Sequence, residues 1–260
     1  IFSKSMKYYI NTFSNINTPT QITINDNTGK TLTTLIDNKR LAEKVAKLDI
    51  VSKEFFTFKT SDGVELNGWM MKPANFDPNK KYPVLMTQYS GPGSQEVTDS
   101  WFVSWEDALV QEGYIVACVD PRGTGYRGEE FKKLSYGIMG RLETEDQISA
   151  AKYLATLPYV DAERIGIYGW SFGGFMALGC ALKGDGLFKM AIAVAPVTSW
   201  RYYDTIYTEI YNDLPQDNPA GYDDNSPINF ADRLSDRTQL LIMHGTADDN
   251  VHVQNTMEMC

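Results

Sequence analysis

The stretch Arg164-Ile165-Gly166-Ile167-Tyr168-Gly169-Trp170-Ser171-Phe172-Gly173-Gly174 constrains this chain more than any other. Ile165, Ile167 and Tyr168 are strand formers, and the apolar or small residues from Phe172 to Leu182 suit a buried helix. The space between them holds a very tight turn that reads Gly-x-Ser-x-Gly, with Gly169, Ser171 and Gly173. A serine on such a turn takes strained dihedrals and projects its hydroxyl above the sheet. A side chain at Gly169 or Gly173 would collide with the turn or the crossing helix. The helix aims its N-terminal amides and positive dipole end at the same point. Ser171 is therefore the expected nucleophile, and the amide of Phe172 one expected oxyanion donor.

The rest of the chain supplies a frame for that turn. Thr20–Ile24 and Thr31–Ile36 read as a hairpin around Asn27-Thr28-Gly29-Lys30, after a β-prone segment at Tyr8-Tyr9-Ile10. Two or three strands bury no core alone, so residues 1–45 are expected to be the tail of a β domain plus a helical connector from Asn38. Glu54–Thr60 and Val64–Met71 read as a second hairpin, with Asp62-Gly63 signalling a primed turn. From there strands alternate with helices: strands at Pro83–Tyr89, Tyr114–Val119, Met190–Val194 and Gln239–Met243, and helices at Phe102–Glu112 and Thr144–Leu157. Ile148, Ala151, Leu154 and Ala155 share one face of the latter helix. A short helix is expected around Ile228–Leu234, and an aromatic loop from Trp200 to Tyr211. Continuous apolar strands alternating with helices imply an α/β fold, a mostly parallel sheet covered on both faces. With its serine turn, residues 46–260 are expected to take the α/β-hydrolase architecture.

Composition narrows the function. A chain of 260 residues that is 43% hydrophobic can bury one sizeable domain with a small attachment. A net charge of −9 argues against nucleic acid and anionic membrane surfaces as partners. No apolar run approaches the roughly 18 residues of a membrane span. The opening Ile1-Phe2-Ser3-Lys4 has neither initiator Met nor signal peptide, which suggests a piece of a longer protein. Cys118, Cys180 and Cys260 form no paired framework, and no cluster has metal-ligand spacing. No metal and no organic cofactor is expected.

In this architecture a carboxylate follows a later strand, and a histidine follows the carboxylate. Leu240–Gly245 is that strand, so Asp248 or Asp249 in the next loop is the acid. An aspartate there also suits a cap for a helix starting near Val251. The sequence has two histidines, His244 and His252, and both sit too early to be the base. Both are expected to be structural, with the catalytic histidine beyond Cys260. Loss of such a base costs on the order of 10⁶ in kcat, so the chain by itself is expected to be nearly inactive. Tyr89, directly before Ser90-Gly91-Pro92-Gly93, is placed either as a second oxyanion donor or as a core-edge tyrosine. Trp200, Tyr202, Tyr203, Tyr207 and Tyr211 are either a packed aromatic cluster or a flat apolar pocket for a ring-shaped side chain.

These motifs resemble the prolyl oligopeptidase family of serine peptidases, in its dipeptidyl peptidase IV branch. The resemblance rests on Gly169-Trp170-Ser171-Phe172-Gly173-Gly174, His244 through His252, and Ala195-Pro196-Val197 with Trp200, Tyr203, Asp204, Tyr207, Thr208 and Glu209. Asp120–Gly125 and Glu145-Asp146-Gln147 fit as well. It implies Ser171 as nucleophile, Asp248 as the acid, and Tyr89 with the Phe172 amide as the oxyanion hole. It implies Val197, Trp200, Tyr203, Tyr207 and Val251 as a proline pocket, and Asn250 as a ligand for a substrate carbonyl. Phe172 departs from the tyrosine usual there, which removes a hydroxyl but not the backbone donor. Residues 1–45 resemble the close of the family's β-propeller, whose substrate-amine glutamates are absent here. The implied activity is hydrolase chemistry: proteolysis by an aminopeptidase that releases N-terminal Xaa-Pro or Xaa-Ala dipeptides from peptides. Tripeptidyl, acylaminoacyl or endo-acting cleavage, an esterase, and an inactive binding domain are the rival readings. The resemblance also points to a homodimer in the periplasm or cell exterior, membrane-anchored or soluble.

Overall fold

Alternation along the central strands sorts their side chains onto two faces. In β7 (Ile115–Asp120), Ile115, Ala117 and Val119 enter the main core while Val116 and Cys118 enter a second, smaller cluster. A buried strand that is apolar on both faces belongs inside a covered sheet, and that is where it lies. The computed structural model describes residues 1–48 and 50–260.

The main sheet has seven strands. They are β4 (Glu54–Lys59), β5 (Glu65–Met71), β6 (Tyr82–Thr87), β7, β8 (Val160–Trp170), β9 (Met190–Val194) and β10 (Gln239–Met243), in the spatial order β10-β9-β8-β6-β7-β5-β4. From β10 to β7 every pairing is parallel, and β5 and β4 close one edge antiparallel. This is the mostly parallel α/β sheet expected of the hydrolase architecture. Helices α4 (Leu142–Ala155) and α5 (Phe172–Lys183) pack on one face, α5 against β8 and β9. Helix α2 (Trp105–Gln111) lies on the other, beside β7. Next to α2 this second face carries an apolar groove of about 650 Å³, floored by Leu85, Tyr168, Ile192, Leu241 and Met243.

Residues before the main sheet form a separate antiparallel sheet of β1 (Tyr8–Asn15), β2 (Thr18–Asp26) and β3 (Thr31–Ile36). The expected hairpin is β2–β3, and α1 (Lys39–Val45) is the connector. Its apolar side chains Phe13, Leu32 and Leu35 are exposed, so this small sheet buries no core of its own. It is tied to the larger unit by polar contacts such as the Ile16 amide donating to Asp99 Oδ1 at 2.8 Å.

Local chemistry moved several boundaries. Helix α2 starts at Trp105 rather than Phe102 because Ser104 and Asp107 form a reciprocal capping box. The β4–β5 turn is not a primed pair. Gly63 takes a positive φ of 86° while Asp62 does not, and the Thr60 hydroxyl pins the turn from both ends, bonding Asp62 and the Val64 amide. The expected aromatic loop is a 3-10 turn at Trp200–Tyr202 followed by helix α6 (Thr205–Asn212). Asp204 caps α6 through the Tyr207 amide at 2.7 Å, a start signal hidden by the aromatic and β-branched residues around it. Residues 227–233 form a 3-10 segment kinked at Phe230, not a regular helix. Two short helices, α3 (Glu129–Lys132) and α7 (Pro219–Asp223), lie in connections, and the last helix, α8 (Gln254–Met259), begins at Gln254 rather than near Val251.

Helix α4 packs Ala151 and Leu154 into the core as its periodicity implied, but its first two turns also bury Glu143, Asp146 and Gln147. Asp146 receives Arg122 through Nε, Nη2 and the Arg122 amide, and Arg122 Nη1 reaches Asp62 at 2.8 Å. Glu143 has no such cation. Its Oε2 accepts from the Gly140 amide at 3.0 Å, and its Oε1 has no partner. Burial pushes its carboxyl up to about 8, against the backbone amides of Glu143 itself and of Gly140, which favour the charge. Asp146 raises it further and Arg122 lowers it. The folded state thus holds a proton between about pH 4.5 and 8 that the unfolded chain has lost. That stability is complete below the lower value and disappears as pH rises through the upper one. The Tm of the wild type should therefore fall relative to that of Glu143→Gln between about pH 5 and pH 8. Asp120, pushed up to about 6 by burial, adds the same slope to both proteins and cancels in the difference. A Tm difference independent of pH would show that Glu143 does not hold its proton.

Candidate active site

Strand β8 runs straight into the serine turn. Ser171 sits between Trp170, the last residue of β8, and Phe172, the first of α5, with φ 59° and ψ −118°. A serine tolerates that conformation only where its surroundings hold it there. Its amide donates to the Val194 carbonyl at 2.9 Å, and its carbonyl accepts from the Phe175 amide. Neither glycine of the pentad has room for a side chain. A Cβ on Gly169 would overlap the Gly173 carbonyl, and one on Gly173 would lie 2.5 Å from the Gln88 carbonyl. The wall beside Gly173 is thus the segment after β6, not the turn itself. As the first residue of α5, Phe172 has an N–H with no partner inside the helix. Its ring is buried against Phe175 at 5.2 Å and Trp200 at 5.7 Å, so the position serves as apolar packing without a hydroxyl.

Tyr89 follows β6 by two residues and is half-buried. Its ring lies 5.9 Å from that of Phe172 and fills the space above Gly91. Burial, and then the neighbouring Tyr203 and Tyr211, raise its phenol above the ordinary value. The hydroxyl is therefore a neutral donor at physiological pH.

The loop that carries Asp248 and Asp249 hangs from the neighbouring strand ends. Ala195 follows β9 and its amide donates to the carbonyl of Met243, the last residue of β10, at 2.7 Å. Of the two candidate aspartates, Asp249 is exposed, whereas Asp248 is built in. Asp248 Oδ1 accepts from the amides of Asn250 and Val251, both at 3.0 Å, and Oδ2 is left without a hydrogen bond among the described residues. Asp248 thus orders its own loop and caps no helix. His244 Nε2 lies 3.6 Å from Oδ2, but that nitrogen meets the Val251 carbonyl at 2.7 Å. A carbonyl can only accept, so Nε2 carries a proton, and Nδ1 is paired with the Thr256 hydroxyl at 2.7 Å. Both ring nitrogens of His244 are engaged, and its side chain is 2% exposed. His252 is exposed.

Four of the five aromatic residues form one cage, while Tyr202 lies outside it and lines a separate cavity with Arg201 and Asp223. Trp200 is buried, with Tyr203 at 6.2 Å and Tyr207 at 6.3 Å, and Tyr207 meets Tyr203 at 5.4 Å and Tyr211 at 4.8 Å. One turn of α6 separates Tyr207 from Tyr211, which places both on one face. Burial raises the Tyr207 phenol far above its ordinary value. Val197 and Val251 are buried in the same core cluster. The Tyr203 hydroxyl donates to Asn250 Oδ1 at 2.9 Å, so the Asn250 amide nitrogen is the end left to donate outward. The structure therefore brings Phe172, Trp200, Tyr203 and Tyr207 into one cluster around the start of α5, with Asn250 joined to it.

No motif drew attention to Gln88, whose amide is wedged between the two pentad glycines. A lone glutamine carries no spacing signal, so nothing in the primary structure marks it.

A mostly parallel sheet whose strand β8 ends in a strained serine and a buried helix defines the class, an α/β-hydrolase domain. The model of the prolyl oligopeptidase family matches residues 101–260, and the chain belongs to that family. It is 45% identical over 228 residues to a probable dipeptidyl-aminopeptidase B of Metarhizium robertsii, covering 87% of this chain and 25% of that protein. A probable dipeptidyl-aminopeptidase B of Sclerotinia sclerotiorum is 44% identical over 262 residues, covering 99% and 28%. The crystal structure of Porphyromonas gingivalis dipeptidyl peptidase 4 superposes with a TM-score of 0.97 at 50% identity, covering all of this chain and 37% of that one. The chain thus spans about a quarter of the length of the curated relatives it matches.

Gly173→Ala tests the closeness of the elbow. Its Cβ meets backbone that cannot rotate away, so a loss of about 1–3 kcal/mol is expected. Chemical denaturation measures it, and an unchanged midpoint would mean that the β6 segment yields freely.

Proposed function

We propose that this chain is the hydrolase part of a serine dipeptidyl peptidase that releases N-terminal Xaa-Pro or Xaa-Ala dipeptides from peptides. The observation that carries the reading is Ser171 at φ 59° between β8 and α5, beside the aromatic cage. The names of the relatives support the same activity. In this reading residues 46–260 are the catalytic domain and residues 1–45 close a β-propeller encoded elsewhere in a longer chain.

Ser171 Oγ attacks the carbonyl of the second substrate residue as its proton passes to an imidazole. His244 cannot accept it, since both its nitrogens are in use. The base is assigned to a histidine beyond Cys260, because in this architecture the histidine follows the carboxylate after a further strand. Asp248 Oδ2 receives the N–H on the far side of that ring and holds its tautomer. The oxyanion is taken by the Tyr89 hydroxyl and the Phe172 amide. The imidazolium then protonates the departing amine, the C–N bond breaks, and water hydrolyses the acyl-Ser171 ester by the same route. The ring of a proline, or the methyl of an alanine, enters the space bounded by Val197, Trp200, Tyr203, Tyr207 and Val251. Asn250 donates its free amide N–H to a substrate carbonyl. No metal or organic cofactor enters these steps. The same reading takes the assembly as a homodimer in the periplasm or cell exterior. No helix among the described residues is long and apolar enough to cross a membrane.

The test is cleavage of a Gly-Pro chromogenic amide by the full-length protein, with the substrate amine free and with it blocked. Cleavage of the free form alone, abolished in Ser171→Ala, is expected. Equal or preferred cleavage of the blocked form would move the assignment to an endo-acting or acylaminoacyl peptidase. The 260 residues alone should cleave neither form at more than about 10⁻⁶ of the full-length rate, the scale set by losing a triad base.

A further inference from the structure

A buried chain of amide and hydroxyl groups runs beneath the candidate site. At its far end Gln147 Nε2, on α4, donates to the Val119 carbonyl of β7 at 2.9 Å and to Ser90 Oγ at 3.0 Å. Ser90 Oγ donates to Gln88 Oε1 at 2.8 Å, and Gln88 Nε2 donates to the Gly173 carbonyl at 2.8 Å. Both ends are backbone carbonyls, which can only accept. Each glutamine must therefore turn its NH₂ toward its carbonyl, and this fixes the direction of every hydrogen bond between. Gln147 and Ser90 are at most 1% exposed and Gln88 is 6% exposed, so water does not compete for these groups.

The chain joins the two places from which an oxyanion would be held. Gln88 Nε2 occupies the space beside Gly169, 2.5 Å from where a Cβ would stand there. The Gln88 backbone lies as close to Gly173. The amide is thus packed into the elbow and holds the first turn of α5, which presents the Phe172 N–H. Tyr89 stands between Gln88 and Ser90, and both neighbours are anchored in the buried chain. Ser90 itself takes φ 65°, a conformation that costs energy in any residue but glycine. Its two hydrogen bonds are what the structure offers to hold it.

We propose that Gln88, Ser90 and Gln147 are positioning residues for the reaction, setting the Tyr89 hydroxyl relative to the Phe172 amide. The inference rests on the reading of those two groups as the oxyanion hole. None of the three touches substrate. Their effect passes through Tyr89, and that dependence separates positioning from general structural support.

The test is a double-mutant cycle in the full-length protein, read as kcat and KM on the Gly-Pro amide. Ser90→Ala removes one oxygen, keeps the backbone compatible, and cuts the chain on both sides of residue 90. Tyr89→Phe removes the proposed donor, and a fall in kcat of about 10²–10³ is expected from it. Ser90→Ala should lower kcat by about tenfold to a hundredfold, a part of that loss, with KM changed less than about threefold. In the Tyr89→Phe background Ser90→Ala should have no further effect on kcat, because the group it positions is gone. Gln88→Met, of similar length without hydrogen bonds, should behave the same way, and Ser90→Ala decides alone if Gln88→Met does not fold. A loss repeated in full in the Tyr89→Phe background would overturn the inference, since the chain would then act on the fold and not through Tyr89. An unchanged kcat in Tyr89→Phe, with Ser171→Ala inactive, would also overturn it and leave the peptidase reading intact. No cleavage by the wild type would overturn both.

Discussion

The backbone from Tyr168 to Gly174 has no room for an added carbon at its glycines, and the rest of the structure depends on that closeness. Gly169 faces the Gly173 carbonyl, Gly173 faces Gln88, and Gly174 faces the Val194 carbonyl and Pro196. These contacts let α5 begin immediately after β8 while its first turn touches the segments following β6 and β9. Dispersion and backbone hydrogen bonds then hold Ser171 in a conformation it would not adopt alone. Loosen the contact, and both the serine and the amide that follows it lose their fixed places.

Parallel pairing does the gathering. Strands β6, β8, β9 and β10 all point the same way, so the loops leaving their carboxyl ends emerge on one side. Tyr89, Ser171, the Trp200 segment and the Asp248 loop follow those four strands in turn. Residues separated by more than 150 positions are thereby brought to neighbouring strand ends, with no need for a long ordered loop. The antiparallel edge of β5 and β4 contributes differently. Its turn delivers Asp62 to Arg122, which is already held by Asp146, so the edge hairpin, the loop after β7 and the start of α4 share one ion cluster.

Helix α4 shows how polar groups can be core. Asp146 is buried with Arg122 to neutralise it, and Gln147 is buried with carbonyl and hydroxyl partners for its NH₂, though its Oε1 has no partner among the described residues. Glu143, lacking a cation, is driven toward its neutral form. One helix therefore carries three different environments for a buried polar side chain within five residues.

The serine turn was legible in the primary structure because glycine spacing there reports on backbone contacts. The parallel sheet was legible because fully buried strands are continuously apolar, and the β2–β3 hairpin because turn residues separate two alternating runs. Helix α6 was not, since Tyr, Ile and Thr mimic a strand or loop unless the cap at Asp204 is weighed above them. Asp248 could not be told from Asp249 by local pattern alone, because the difference is which carboxylate receives the amides of Asn250 and Val251. Likewise, a histidine's availability depends on the partners of its two nitrogens, and Thr256 and Val251 were invisible as partners of His244 before the loop folded. The Gln88–Ser90–Gln147 chain joins residues up to 85 positions apart, through contacts that have no periodicity. Local propensity and patterning thus determined which segments became strands, helices and the serine turn. Only the tertiary structure decided which polar atoms met, because hydrogen-bond partners across a sheet are chosen by strand order and register, not by neighbours in the chain.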